Sequence, residues 1–231
     1  MTQARAAVVD TNEVRCDDAP AWLKPALVNR VVERIQSKLE WDIRKVRLVW
    51  HLDQQEFRQT HGYDDSVLAF SRKSDNSVHL GPRVSETNFE SVFGHELVHV
   101  ILFQKYKGAV PKWLEEGLAN SLSNHQPLVK KGKAALDQSH WSVDYAWLAT
   151  QPSIDVLTLN HPFMGVATNG ARYHYQASQA LVEMIASHCS LDQLLQLSVG
   201  KKLEKYLGTF CGIDDVNSEF RKWVAKKAKT L

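Results

Sequence analysis

The hydrophobic and polar positions along this chain divide it into helical and extended stretches. From Ala21 to Leu39, apolar residues recur at i and i+4 spacing, which predicts an amphipathic helix. Arg44 to Leu52 is rich in Val, Leu and Trp and predicts a strand. The polar segment from Asp53 to Gly62 then predicts a short helix that ends at the glycine.

Two further strands are predicted on either side of a turn. Val67 to Arg72 and Val78 to Val84 flank Ser74-Asp75-Asn76-Ser77, a run of turn-forming residues. This pattern predicts a β-hairpin. A small antiparallel or mixed sheet is therefore expected before the next helix.

The most apolar stretch of the chain follows this sheet. From Phe89 to Phe103, apolar residues occur on nearly every side of a helix, which is typical of a buried helix. Only His95, Glu96 and His99 interrupt it. Ionisable groups in so apolar a setting cost roughly several kcal/mol unless they are paired or bind a metal.

Start and stop signals surround this helix. Thr87 and Glu90 have the spacing of a capping box, so the helix is expected to begin near Thr87. Gly108 and Pro111 end helices and form turns, and a second helical stretch follows from Lys112 to Ala119. Two helices joined in this way form a hairpin whose facing sides can share a ligand site.

The two histidines are four residues apart, with an acid directly after the first. On a helix this spacing brings both rings of His95-Glu96-Leu97-Val98-His99 onto one face, where one metal ion can bind them. The chain contains ten histidines in 231 residues, so the same pattern also arises by chance. A third ligand is needed to decide between these two interpretations.

Together the two segments resemble the gluzincins, the thermolysin-like zinc metallopeptidases. The resemblance rests on H-E-L-V-H and on the block W-L-E-E-G-L-A from Trp113 to Ala119. In the family, a helix after H-E-x-x-H supplies a glutamate as the third zinc ligand, directly before a glycine. The resemblance therefore implies Glu116, 17 residues after His99, as this ligand, with Glu115 at the variable position.

The resemblance also implies a fold. We expect an α+β, thermolysin-like zincin catalytic domain, in which a small antiparallel or mixed sheet and an active-site helix precede a mostly helical lower half. A flexible segment is expected at 1–20 and a single domain at 21–231. Within this domain, 21–107 would form the upper α/β part and 111–231 the helical part.

The expected chemistry is hydrolysis of a peptide bond. His95, His99 and Glu116 would bind one Zn²⁺ per chain and leave a fourth position open for water. Zinc lowers the pKa of that water to about 7, and Glu96 is placed to accept its proton as general base. The substrate would be a peptide or protein. No G-x-M-E-N block is present, so an endopeptidase or processing peptidase is expected rather than an aminopeptidase.

Two residues are expected to support this reaction. Asn120, one turn beyond Glu116, corresponds to the position where thermolysin-like enzymes carry an Asp that orients a ligand histidine. Tyr175 corresponds to the family's tyrosine that opens a helix and donates to the oxyanion formed in the reaction. Tyr173 and His174 remain alternatives for this second role.

The resemblance further implies that an extended substrate pairs with an edge strand. In this chain the strand would contain Val78, His79, Leu80 and Gly81. His79 is either a substrate contact or a surface residue of that strand.

Beyond this core the pattern is less regular. From Asn124 to Gly170 the periodicity is lost, which predicts loops with one or two short helices. From Ala171 it returns, and three helices are expected, through Ile185, from Leu191 to about Gly200 and from Val216 to Lys227.

Composition adds few constraints. The net charge of +2 predicts no particular partner, and the basic residues near the end lack interleaved aromatics, so nucleic-acid binding is not expected. The first 20 residues contain no apolar run of a signal peptide or membrane span. We therefore expect no membrane partner and a cytoplasmic protein as written, or an exported one if the sequence was trimmed. The oligomeric state stays open.

The three cysteines leave one question open. Their odd number argues for a reducing compartment, yet a disulfide between Cys189 and Cys211 is compatible with an exported protein.

Two alternatives to a peptidase remain. The first is a zincin fold that no longer cleaves and acts as a scaffold or regulator, which would be expected to lack Glu96 or a ligand. Neither is lacking. The second is a zinc hydrolase of a non-peptide amide or ester, because that reaction needs the same polarised carbonyl and activated water.

Overall fold

The computed structural model describes most of the chain as two compact units. The described residues are 7–62, 66–123, 142–152, 168–197 and 203–230. The first unit contains the described residues up to Lys105, and the second contains those from Tyr106 onward. Most of the predicted loop region at 124–170 lies outside the described residues.

A mixed β-sheet forms the framework of the first unit. In the described residues its strands are β1 (Ala7–Asp10), β2 (Val14–Ala19), β3 (Val46–Trp50), β4 (Ala69–Arg72) and β5 (Ser77–Leu80). The spatial order is β1-β2-β3-β5-β4. The pairs β1–β2 and β4–β5 are antiparallel, whereas β2–β3 and β3–β5 are parallel. The predicted α+β class with a small mixed sheet is confirmed.

The first two strands correct the expectation of a flexible segment at 1–20 for the part that the structure describes, from Ala7 onward. β1 and β2 pair with each other, and Val9, Val14 and Cys16 are buried. Val14 and Cys16 alternate with charged residues, so one face of β2 lies against the core while the other faces solvent.

Two helices of this unit lie where the sequence pattern predicts them. α1 spans Pro25–Leu39, and α2 spans Gln54–His61. The Asp53 side chain caps α2 by accepting a hydrogen bond from the Glu56 N–H at 2.8 Å. Gly62 ends α2 in the left-handed conformation, with φ of 73°, which a residue without a Cβ adopts at little cost.

The hairpin of β4 and β5 is confirmed, but β5 is not an edge strand. His79 is aligned with Val49 of β3 on one side and with Phe70 of β4 on the other. Val78, His79 and Leu80 are buried. The hairpin signal predicted only the local partner β4, whereas the parallel pairing with β3 joins strands that are distant in sequence. The outer strands of the sheet are β1 and β4.

Gly81, the last residue of the predicted edge strand, also has its backbone N–H hydrogen-bonded within the protein. Its N–H donates to the carbonyl oxygen of Leu68 at 2.8 Å, directly after β5 ends. A side chain at this position would approach the Phe57 ring at 2.7 Å. The prediction that Val78 to Gly81 offers free backbone groups to a substrate is therefore wrong.

The long apolar helix α3 spans Phe89–Tyr106 and is buried along nearly its whole length. The predicted capping box of Thr87 and Glu90 is not formed between these described residues. Instead, the Ser85 N–H donates to Asn88 Oδ1 at 2.7 Å in the turn just before the helix. The Glu90 carboxylate forms ion pairs with two arginines of α1.

Helices make up the described part of the second unit. They are α4 (Lys112–Ser123), α5 (Tyr145–Ala149), α6 (Thr168–Ala186), α7 (Leu191–Leu197), α8 (Leu203–Cys211) and α9 (Val216–Ala228). The predicted helices through Ile185, from Leu191 and from Val216 are confirmed in the described residues. α8 was not predicted.

Covalent and polar contacts tie these helices together. A Cys189–Cys211 disulfide joins the chain just after α6 to the end of α8, which answers the question left open by the sequence. The Tyr145 O–H of α5 donates to Glu183 of α6 and accepts a hydrogen bond from Trp223 Nε1 of α9 at 3.2 Å. Burial and the Glu183 carboxylate raise the pKa of Tyr145. Within the described ranges, none of the helices has both the length and the apolar character that crossing a bilayer requires.

Candidate metal centre

Helix α3 brings its three ionisable residues into an apolar interior. His95, Glu96 and His99 are buried, with 6%, 9% and 5% of their surface exposed. Phe93, Leu97 and Ile101, on the same helix, are completely buried. Because apolar residues surround the whole helix, the two imidazoles cannot point to bulk water, and their polar atoms need partners within the protein.

The two histidine rings converge as the i, i+4 spacing predicts. Their Nε2 atoms lie 3.2 Å apart, and the ring planes are inclined by 72°. Two nitrogens bound to one tetrahedral zinc at about 2.0–2.1 Å are separated by about 3.3 Å. The pair therefore already has the separation that a shared zinc ion requires.

A carboxylate completes the group. One ligand atom each from His95, His99 and Glu116 lies within 4.8 Å of the others, and all three residues are buried. Two imidazole nitrogens and one carboxylate oxygen are a donor set that suits zinc and leaves a fourth position for another ligand. These three predicted ligands are thus close enough to hold one metal ion.

Glu116 and Glu115 share a cation. The Lys112 ammonium forms an ion pair with Glu116 Oε1 and lies 3.8 Å from Glu115 Oε2. Two adjacent buried carboxylates repel each other, so a lysine at this point offsets part of the cost of burying them. Sequence reasoning missed Lys112, although its position four residues before Glu116 is the spacing at which helical side chains meet.

Asn120 makes a hydrogen bond between two helices. Its Nδ2 donates to the main-chain carbonyl of Tyr175 at 3.2 Å, so it connects α4 to α6. The side chain is 1% exposed, and its Oδ1 has no hydrogen-bond partner in the described part of the chain. Its assignment as the group that orients a ligand histidine stays a prediction.

Tyr175 lies inside a helix rather than at its start. α6 begins at Thr168, so Tyr175 is about two turns into the helix, and its side chain is half-buried. The expectation that it opens a helix is wrong, because the helical pattern extends upstream of Ala171. Its role as oxyanion donor stays a prediction. His174 and Tyr173 are half-buried beside it, and burial raises the pKa of Tyr173.

His79, expected at a substrate edge, belongs to a buried hydrogen-bond chain. Its Nδ1 lies 3.0 Å from His51 Nε2, and its Nε2 lies 2.9 Å from Ser77 Oγ, which in turn donates to Asp75. Burial and the charges of two arginines lower the pKa of His79 to about 4, and burial lowers the pKa of His51. His79 is thus enclosed within the sheet, and the expectation that it lies at an exposed edge strand is wrong.

No model of a known protein family matches the chain, and no curated protein matches it either. The gluzincin resemblance therefore depends on the residues quoted above, together with the geometry of His95, His99 and Glu116.

Proposed function

We propose that this chain is a zinc-dependent peptidase of the gluzincin type, with a thermolysin-like catalytic fold and one zinc ion per chain. The observation that supports it is the convergence of three buried donors, with the Nε2 atoms of His95 and His99 3.2 Å apart and a Glu116 oxygen within 4.8 Å of the ligand atoms of both. Such donors are costly to bury, and a bound cation would offset part of that cost in addition to the ion pair between Lys112 and Glu116.

Each residue has a defined task in this proposal. His95, His99 and Glu116 would hold the ion. When bound, the ion acts as a Lewis acid that polarises a carbonyl and lowers the pKa of water. Glu96, next to a ligand on α3, accepts the proton of the attacking water and passes it to the leaving amine. The Tyr175 hydroxyl donates a hydrogen bond to the oxyanion that develops on the substrate.

The peptide-binding part of the proposal needs a different strand from the predicted one. Because β5 is paired on both sides, an extended substrate that adds to the sheet has to pair with an outer strand, β1 or β4. A peptide substrate, endopeptidase or processing specificity and zinc as the metal are all part of the proposal.

The experiment that tests the proposal is cleavage of fluorescently labelled casein, an unstructured protein, by the zinc-loaded chain. Glu96→Gln keeps the ligands but removes the base, so it should retain zinc and lose at least about 100-fold in kcat. Glu86→Gln is a matched control, since Glu86 is an exposed carboxylate outside the site. Cleavage should stop when a chelator removes the metal.

Two results would contradict the proposal. Full activity of Glu96→Gln would remove Glu96 as the base. One zinc per chain without any cleavage of casein would instead favour a silent scaffold or a hydrolase of non-peptide amides or esters.

A further inference from the structure

Helices α4 and α6 approach each other so closely that Gly117 has no room for a side chain. A Cβ at this position would lie 2.3 Å from the Ser178 carbonyl oxygen and 2.5 Å from Val182 Cγ2. Both distances are far below van der Waals contact, and the first partner is main chain, which cannot move without moving α6. Glycine at 117 therefore sets the separation of the two helices.

A hydrogen bond sets their register. One turn beyond Gly117, the Asn120 amide donates to the Tyr175 carbonyl at 3.2 Å. Gly117 thus faces Ser178 while Asn120 faces Tyr175, so the two helices run antiparallel along this contact. The amide reaches the carbonyl of the residue expected to stabilise the oxyanion, and not a neighbour of it.

Stability alone does not explain an asparagine here. Asn120 is 1% exposed, and its Oδ1 has no partner among the described residues. Such an atom costs free energy, whereas an apolar residue of similar size would fill the same space without that cost. The benefit of the amide therefore lies in where it holds the Tyr175 main chain, because its Nδ2 donates directly to the Tyr175 carbonyl.

We propose that Gly117 and Asn120 are positioning residues that fix Tyr175 relative to Glu116. Glu116 precedes Gly117 directly, so the contact that determines the helix separation also determines where the proposed zinc ligand stands relative to the proposed oxyanion donor. This inference rests on the proposed function. It adds how two separate helices, α4 and α6, keep Glu116 and Tyr175 at a fixed position relative to each other.

The test compares Asn120→Leu with Ser178→Ala in the zinc-loaded chain. Leu has the same number and branching of side-chain heavy atoms as Asn but cannot donate, so we expect kcat for labelled casein to fall by about 10-fold or more, with KM and zinc affinity unchanged. Ser178→Ala is the matched control. Ser178 is buried in the same contact, and its Oγ has no hydrogen-bond partner in the described ranges, so its removal should leave kcat unchanged.

A double-mutant cycle distinguishes positioning from general damage. If Asn120 acts through Tyr175, then Asn120→Leu should cost nothing further in kcat when Tyr175 is already Phe. A loss of kcat by Asn120→Leu that is the same in both backgrounds would overturn the inference. Loss of zinc affinity together with kcat would also overturn it, because the effect would then act on the metal ligands.

A measurement that needs no turnover separates this inference from the proposed function. In metal-free protein labelled with 3-fluorotyrosine, the fluorine resonance of Tyr175 is identified by its disappearance in Tyr175→Phe. Asn120→Leu should shift this resonance, and Ser178→Ala should leave it in place. An unshifted resonance in Asn120→Leu overturns the inference even if the chain is a peptidase, and a shift supports it even if casein is not cleaved.

Discussion

Protonation of His79 should destabilise the first unit as the pH falls. Ser77 Oγ donates to Asp75, so it has only a lone pair to offer to His79 Nε2, which must then carry the proton of the neutral ring. His79 Nδ1 in turn accepts from His51 Nε2. A second proton on His79 would face an N–H of His51 and break this chain of hydrogen bonds.

The size of the effect follows from the pKa. Burial, reinforced by Arg72 and His51, lowers the pKa of His79 from 6.5 to about 4, although Asp75 opposes the change. Above pH 6.5 the histidine is neutral in both folded and unfolded chains and contributes no pH dependence. Below it, the unfolded chain binds the proton first, so stability falls with pH by about 2 kcal/mol at pH 5 and about 3 kcal/mol at pH 4.

Urea unfolding of the metal-free chain between pH 7.5 and 4 measures this effect. His79→Gln removes the titrating group, so its free energy of unfolding should fall by about 3 kcal/mol less than that of the natural sequence over this range. His188→Gln, at an exposed histidine, is the control and should follow the natural sequence. Parallel pH dependences for His79→Gln and the natural sequence would refute the reasoning, since other groups titrate equally in both.

Two further predictions concern stability. The Cys189–Cys211 disulfide closes a segment with a sequence separation of 22, so its reduction should lower the free energy of unfolding by about 3 kcal/mol, measured with and without reductant. Peptide mapping of protein purified without reductant should find this link and a free thiol at buried Cys16, which would favour the exported alternative; three free thiols in that sample would contradict it. Asp53→Ala should cost about 1 kcal/mol by removing the cap of α2, while Asp53→Asn should cost little; equal losses in thermal unfolding would exclude the cap as the cause.

Local signals in the sequence predicted much of the first unit. Asp53 and Gly62 marked both ends of α2, and the turn residues between β4 and β5 marked the hairpin. These features depend on neighbouring residues, so they can be read from a short window. The same holds for the His95–His99 pair, because helical spacing alone brings the two rings together.

Long-range pairing could not be read in the same way. The position of β5 between β3 and β4 depends on strands far apart in sequence. β1 is only four residues long, and half of the residues of β2 are charged, so neither was recognised as a strand. For the site, Glu116 was proposed from a family resemblance, whereas the ion pair with Lys112 and the bond from Asn120 to Tyr175 emerged only from the folded chain.

The most direct test of the central claim is the zinc content of the purified, zinc-loaded and dialysed protein, measured by plasma mass spectrometry. The natural sequence and Glu115→Ala should each retain about one zinc per chain, because Glu115 is not a proposed ligand. Glu116→Ala should retain little, since two imidazoles alone bind zinc more weakly. A natural sequence without zinc, or zinc retained by Glu116→Ala and lost by Glu115→Ala, would contradict the account.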